Sequence, residues 1–223
     1  MSSVNNLSWR RSESTSIRYG RRGPARLRFA LCLLALVLAA TSLLAACESS
    51  VSLPAGVTAP DPPRQKALAQ APVFVRDDYV IRPVAEFSLN ARILGKERYR
   101  FDRSANLSPI DLALGWGPMS DQAVIDQFSI TQSRRFYWWK VKQYPIPRRA
   151  IIESSANMHM IPANDAIRDQ LLTLKSGALI RLDGYLVNVT ADNFAWRTST
   201  SRTDAGAGAC EIVWVERLEV LIL

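Results

Sequence analysis

An uncharged run over residues 29–46, almost wholly Leu, Ala and Val, ends in Leu44-Ala45-Ala46 and is followed directly by Cys47. Such a run partitions into hydrocarbon, so a globular fold has to be built from what comes after it. Ahead of it stand Arg10, Arg11, Arg18, Arg21, Arg22, Arg26 and Arg28. Basic region, apolar core and small-residue cleavage site follow in the order of a secretory signal. The run also reaches the lower edge of a membrane-spanning length, which makes an uncleaved anchor the alternative. Two alanines directly before a cysteine favour cleavage.

Leu44-Ala45-Ala46-Cys47 resembles a lipobox, in which the cysteine thiol is alkylated by a diacylglyceryl group and the cut leaves that cysteine as the new N-terminus. The resemblance implies a signal peptide over 1–46, Cys47 as the lipidation site, and attachment to a membrane through an N-terminal lipid. Glu48 stands where an aspartate retains lipoproteins in the inner membrane of double-membraned bacteria. The expectation is therefore an outer-membrane lipoprotein facing the periplasm.

Removing residues 1–46 changes the charge argument. The whole chain carries a formal +8, but the signal holds seven arginines against one glutamate, which leaves 21 basic and 19 acidic residues, or +2. A near-neutral domain offers no electrostatic footprint for nucleic acid. The cysteines shrink in the same way: Cys32 leaves with the signal, Cys47 carries lipid, and Cys210 is the remaining thiol. An intramolecular disulfide is then excluded, so the fold rests on its core.

Pro54, Pro60, Pro62, Pro63 and Pro72 mark residues 47–72 as a lipidated N-terminus and Pro-rich tether. The globular domain is expected over 73–223. Residues 86–94 alternate polar with apolar, as a half-buried strand does; 99–101 read as its hairpin partner, with a turn near Gly95. Ser108-Pro109 reads as a helix start, and Ser120-Asp121 as the cap of a second short helix. Residues 136–141 carry aromatics on both faces, the pattern of a strand packed between layers. Ile167, Leu171 and Leu174 fall at helical spacing behind Asn164 and ahead of Gly177. A long strand with a bend at Gly184 follows over 179–189, and 196–200 with 210–218 read as a closing hairpin. The fold class is mainly β with one or two short helices, an α+β domain built as a compact bent antiparallel sheet or a small OB-like barrel.

Two residue types with nucleophile and base chemistry stand out, His159 and Cys210. A cysteine needs a base to become thiolate, and the Gly-rich approach 203–209 can offer backbone N–H donors. His159, Cys210, Arg202 and Asp204 are the candidate catalytic set, against the alternative of a buried, inert thiol that shares a strand face with Ile212 and Trp214. Trp116 in a Gly-rich loop and Arg202 in a hydroxyl-rich segment are candidate ligand-binding residues; the alternative for Trp116 is a core plug. One histidine and one thiol fall short of a metal set, and nothing in the chain calls for a cofactor.

The order histidine, helix, strand, cysteine resembles that of sortases, the cell-surface transpeptidases. That resemblance implies a Cys210/His159 hydrolase or transpeptidase, yet Ala207-Gly208-Ala209-Cys210 departs from the Thr-Leu-x-Thr-Cys context of that family. Arg217, an odd number of residues after Cys210, falls on the opposite strand face. Tyr99-Arg100-Phe101-Asp102, Leu112-Ala113-Leu114-Gly115-Trp116-Gly117, Asn157-Met158-His159 and Gly206-Ala207-Gly208-Ala209-Cys210-Glu211 resemble phrases of a group of uncharacterised exported bacterial proteins. This implies a shared domain and brings no activity or ligand with it. The leading expectation is a lipid-anchored envelope module that binds a protein partner or a cell-wall or glycan ligand.

Overall fold

The computed structural model describes residues 50–201, 203 and 208–223. The signal segment, Cys47, Arg202 and Asp204 lie outside them. Ten strands are described: β1 (Arg64–Ala67), β2 (Phe74–Arg76), β3 (Tyr79–Arg98), β4 (Ile110–Gly115), β5 (Phe128–Ser133), β6 (Phe136–Val141), β7 (Ser155–Pro162), β8 (Leu179–Ala191), β9 (Phe194–Trp196) and β10 (Glu211–Ile222). Three helices join them, α1 (Gln122–Ile125), α2 (Arg148–Glu153) and α3 (Asp165–Thr173). The architecture is mainly β, α+β, as expected from the sequence.

Five long strands make the frame. β3 pairs with β4, β4 with β7, β7 with β10, β10 with β8, and β8 again with β3. All are antiparallel except β7 with β10, which are parallel. With α3 between β7 and β8, this is the connectivity of an OB-like, partly open Greek-key arrangement. The sheet is strongly bent rather than a closed barrel, because β3 lends residues 80–92 to β8 and 92–98 to β4, overlapping only at Arg92.

Period-two alternation sorts side chains onto two cores. Along β10, Val213 and Val215 join the core inside the bend with Phe87, Leu89, Leu112, Met158 and Leu182. Ile212 and Trp214 point the other way, into a second core with Tyr79, Ile81, Leu107, Ile161 and Val189. Helix α3 closes the first core with Ile167 and Leu171; Asn164 caps it by accepting from the Ile167 N–H at 3.0 Å, as its sequence suggests. Asp121 caps α1 in the same way, through the Ala123 N–H at 2.9 Å.

Several local expectations are corrected. Residues 110–115, after Ser108-Pro109, are strand and buried throughout; an apolar run buried on both faces carries no periodicity to tell it from a helix. No turn occurs at Gly95, since β3 continues to Arg98. The aromatic strand β6 pairs only with β5, as a separate hairpin half open to solvent. β9 pairs with β8 and not with β10. Residues 51–67, expected as tether, lie on the domain: β1 pairs with β3, and Ala59 is 1% exposed. That docking uses backbone hydrogen bonds, which leave no apolar period to read.

Candidate binding cleft

On the outer face of β4, β7 and β10, the register places Asp111 opposite His159 and His159 opposite Ile212. Asp111, Asn157 and His159 are all buried. A carboxylate and an imidazole on a sheet need a cover, and the β5–β6 hairpin supplies it. Its two-residue turn is Arg134-Arg135, both with positive φ, 50° and 68°. Such turns favour Asn-Gly, and each non-glycine residue there costs about 1–2 kcal/mol. The contacts of Arg135 offset that strain.

The Arg135 guanidinium donates from Nη2 to both carboxylate oxygens of Asp102 at 2.9 Å, and from Nη1 to Asp111 Oδ1 at 2.8 Å and to the Ser108 carbonyl at 2.9 Å. It lies over the Tyr99 ring, 3.7 Å from the centroid, while the Tyr99 hydroxyl accepts from the Arg135 backbone N–H at 2.9 Å. The Arg135 carbonyl accepts from Asn157 Nδ2 at 3.2 Å and lies 3.8 Å from the Cys210 thiol. Every polar group of this residue is therefore tied to the sheet or to the β3–β4 connection.

His159 shares Asp111 with Arg135. Its Nδ1 lies 2.9 Å from Asp111 Oδ1, without the alignment of a hydrogen bond, and its ring packs against Trp196 with centroids 4.5 Å apart. Burial, reinforced by the Asp111 charge, pushes the Tyr99 hydroxyl up to about 12. Burial also raises Tyr137, whose hydroxyl is 2.6 Å from Ser155 Oγ.

Desolvation alone would raise the Asp102 carboxyl, but the hydrogen bonds and charge of Arg135, with help from Ser104, hold it below its ordinary 3.8. A depressed carboxyl contributes stability that is complete above its unfolded value and is lost as pH falls through the lower folded value. The urea midpoint of Asp102→Asn is thus expected to lie below that of the native protein at about pH 7, with the gap closing as pH falls through the depressed carboxyl value, below the ordinary 3.8. A gap independent of pH would show that the pair is not what stabilises.

Two cavities meet beside Cys210. One, of about 210 Å³, is walled by Phe136, Tyr137 and Trp139, with Ser155, Asn157 and Cys210 among its lining. The other, of about 460 Å³, is lined by Arg135, His159, Trp196 and Arg197. Phe136 and Cys210 border both. His159 and Cys210 both belong to the lining of the larger cavity. Trp116 is 3% exposed and donates its indole N–H to the Glu153 carbonyl at 3.1 Å; it reaches the smaller cavity from the core, closer to a plug than to an exposed stacking platform. Among the described residues no cluster of three or more metal-ligating side chains occurs.

Tyr99, Asp102, Asp111, Arg135 and Asn157 were not singled out by sequence reasoning as site residues. A signal existed for one: Asp111 is a charge inside the otherwise apolar run 110–114, and a buried carboxylate demands a partner. No protein-family model, curated protein or solved structure matches this chain.

Proposed function

We propose that this chain is a lipid-anchored envelope protein, tethered through Cys47, whose OB-like domain binds a cell-wall or glycan ligand in the cleft beside Cys210. The observation that carries the reading is the cleft's composition: Phe136, Tyr137 and Trp139 form an aromatic wall in a cavity that also has the exposed Arg148 and Ser201 in its lining. Aromatic faces take up the apolar face of a sugar ring while such polar groups meet its hydroxyls. The connections flanking the cleft, β3–β4 with Tyr99 and Asp102 and β8–β10 with Trp196 and Cys210, are those that OB folds use for oligosaccharides and oligonucleotides, a fold-level analogy. The near-neutral charge of residues 47–223 favours the former.

The test is co-sedimentation of the full-length lipidated protein, in detergent, with purified cell-wall fragments. Trp139→Ala is expected to lower affinity at least tenfold, about 1.4 kcal/mol, with an unchanged circular dichroism spectrum, while Cys210→Ala binds as the native protein does. Equal binding by Trp139→Ala, or no binding by the native protein, overturns the reading.

A second reading, a Cys-His hydrolase or transpeptidase, is favoured by His159 and Cys210 sharing a cavity with Asp111 beside the imidazole. Against it, the His159 ring packs on Trp196 with its Nδ1 beside Asp111, and the Cys210 thiol is directed at the Arg135 carbonyl oxygen, 3.8 Å away. Loss of bond cleavage in Cys210→Ala, with binding retained, is the result that selects it.

A further inference from the structure

We propose that the domain sits directly on the bilayer that holds its lipid, on the end formed by residues 51–59 and the turn at Lys175–Gly177, with the turn between β8 and β9 at the opposite end. This rests on the reading of Cys47 as the lipidated residue. It adds a membrane-binding surface to that reading and replaces a long tether with a short one.

The path of the chain after Cys47 carries the argument. Val51 donates its N–H to the Ser176 carbonyl at 2.8 Å. Gly177, at φ +85°, leaves no space for a side chain, since a Cβ there would stand 1.8 Å from the Val51 carbonyl oxygen. The following residues are bound in turn. Leu53 N–H donates to Gln122 Oε1 at 3.1 Å and Gly56 N–H to Asp121 Oδ1 at 2.8 Å. Thr58 and Ala59 N–H groups both donate to Ser120 Oγ, at 3.1 and 3.0 Å. The Ala59 carbonyl accepts from the Gly117 N–H at 2.7 Å. These contacts fasten the segment along nine residues, so it cannot act as a spacer while the domain is folded.

Three residues separate Cys47 from Val51. Fully extended, that stretch reaches at most about 14 Å, and an interfacial headgroup layer takes up roughly 5–8 Å of it. A spacer of the whole Pro-rich segment would have reached about 70 Å as polyproline. Gly177 and its neighbours are therefore held within about 10 Å of the headgroups. Lys175 is exposed beside this turn, a cation of the sign that anionic lipids attract.

The far end follows from the register. β8 leaves the turn at Leu179 and reaches the pairing of Val189 with Trp196 ten residues later, about 33 Å of strand if straight. Arg103 of the β3–β4 connection donates to the backbone carbonyl of Asn193 at 3.0 Å. The β3–β4 connection and the β8–β9 turn thus meet at the end of β8 remote from Gly177, whereas the aromatic cavity reaches back to Trp116, whose neighbour Gly117 holds Ala59.

The test uses the full-length lipidated protein in a Cys210→Ala background, reconstituted in vesicles of phosphatidylethanolamine and phosphatidylglycerol with an acceptor dye on some headgroups. Donor dyes are placed at Lys175→Cys or at Asp192→Cys. Energy transfer is expected to be several-fold higher from position 175, and a twenty-residue Gly/Ser insertion between Ser50 and Val51 is expected to bring it down to the level of position 192. Equal transfer from the two positions without the insertion, or stronger transfer from 192, overturns the seating while leaving the anchor standing. An intact mass without diacylglyceryl and acyl groups on Cys47 overturns the anchor itself, and the seating with it.

Discussion

Arg135→Ala is expected to destabilise the domain by about 3–5 kcal/mol, the cost of removing one partner from a buried ion pair. Asp111 is 1% exposed at its side chain, and without the guanidinium its carboxylate keeps only the contacts to Asn157 Nδ2 at 3.4 Å and to His159. The loss also releases the turn: two positive-φ arginines would then be held against their own preference by backbone contacts alone. Arg135→Lys is expected to recover little, because one ammonium cannot reach Asp102 in a fork and Asp111 together. Thermal unfolding of the three proteins measures this. A loss below about 1 kcal/mol would mean that the network behaves as an exposed ion pair.

The second large effect is expected at Gly177. Gly177→Ala combines a left-handed backbone, worth about 1–2 kcal/mol, with a Cβ 1.8 Å from the Val51 carbonyl oxygen and 2.7 Å from its carbon. Backbone cannot rotate aside as a side chain does, so residues 51–53 must undock, and about 3 kcal/mol or a Tm fall of roughly 10 °C is expected. Gly56→Ala is the control: φ is +129° but nothing lies within 4 Å of the added carbon, so only backbone strain remains. Equal losses in the two variants would show that the Val51 contact contributes nothing.

How far the sequence foretold the structure depends on what kind of interaction forms each part. Elements built on periodicity were legible: the helix of Ile167 and Leu171 with its Asn164 cap, and the alternation that became β3. Elements built on backbone pairing alone were not, which is why residues 51–67 read as a tether and β9 was assigned to the wrong neighbour. At the site, His159 and Cys210 were found because their chemistry is rare in this chain. Arg135 was passed over because its role comes from a turn that joins Asp102, Asp111 and Tyr99, residues distant in sequence and ordinary in type. The aromatics of β6 were noticed, but a strand with aromatics on both faces reads the same whether it lies between layers or walls an open cleft.

The double use of β3 bears on the order of events during folding. Its first half must pair with β8 about a hundred residues later, and β10, paired with both β8 and β7, comes last. Contacts of such long sequence separation form slowly and only once both partners are present. The frame therefore cannot close until residues past 211 are present, which makes the C-terminal strand the one that commits the fold.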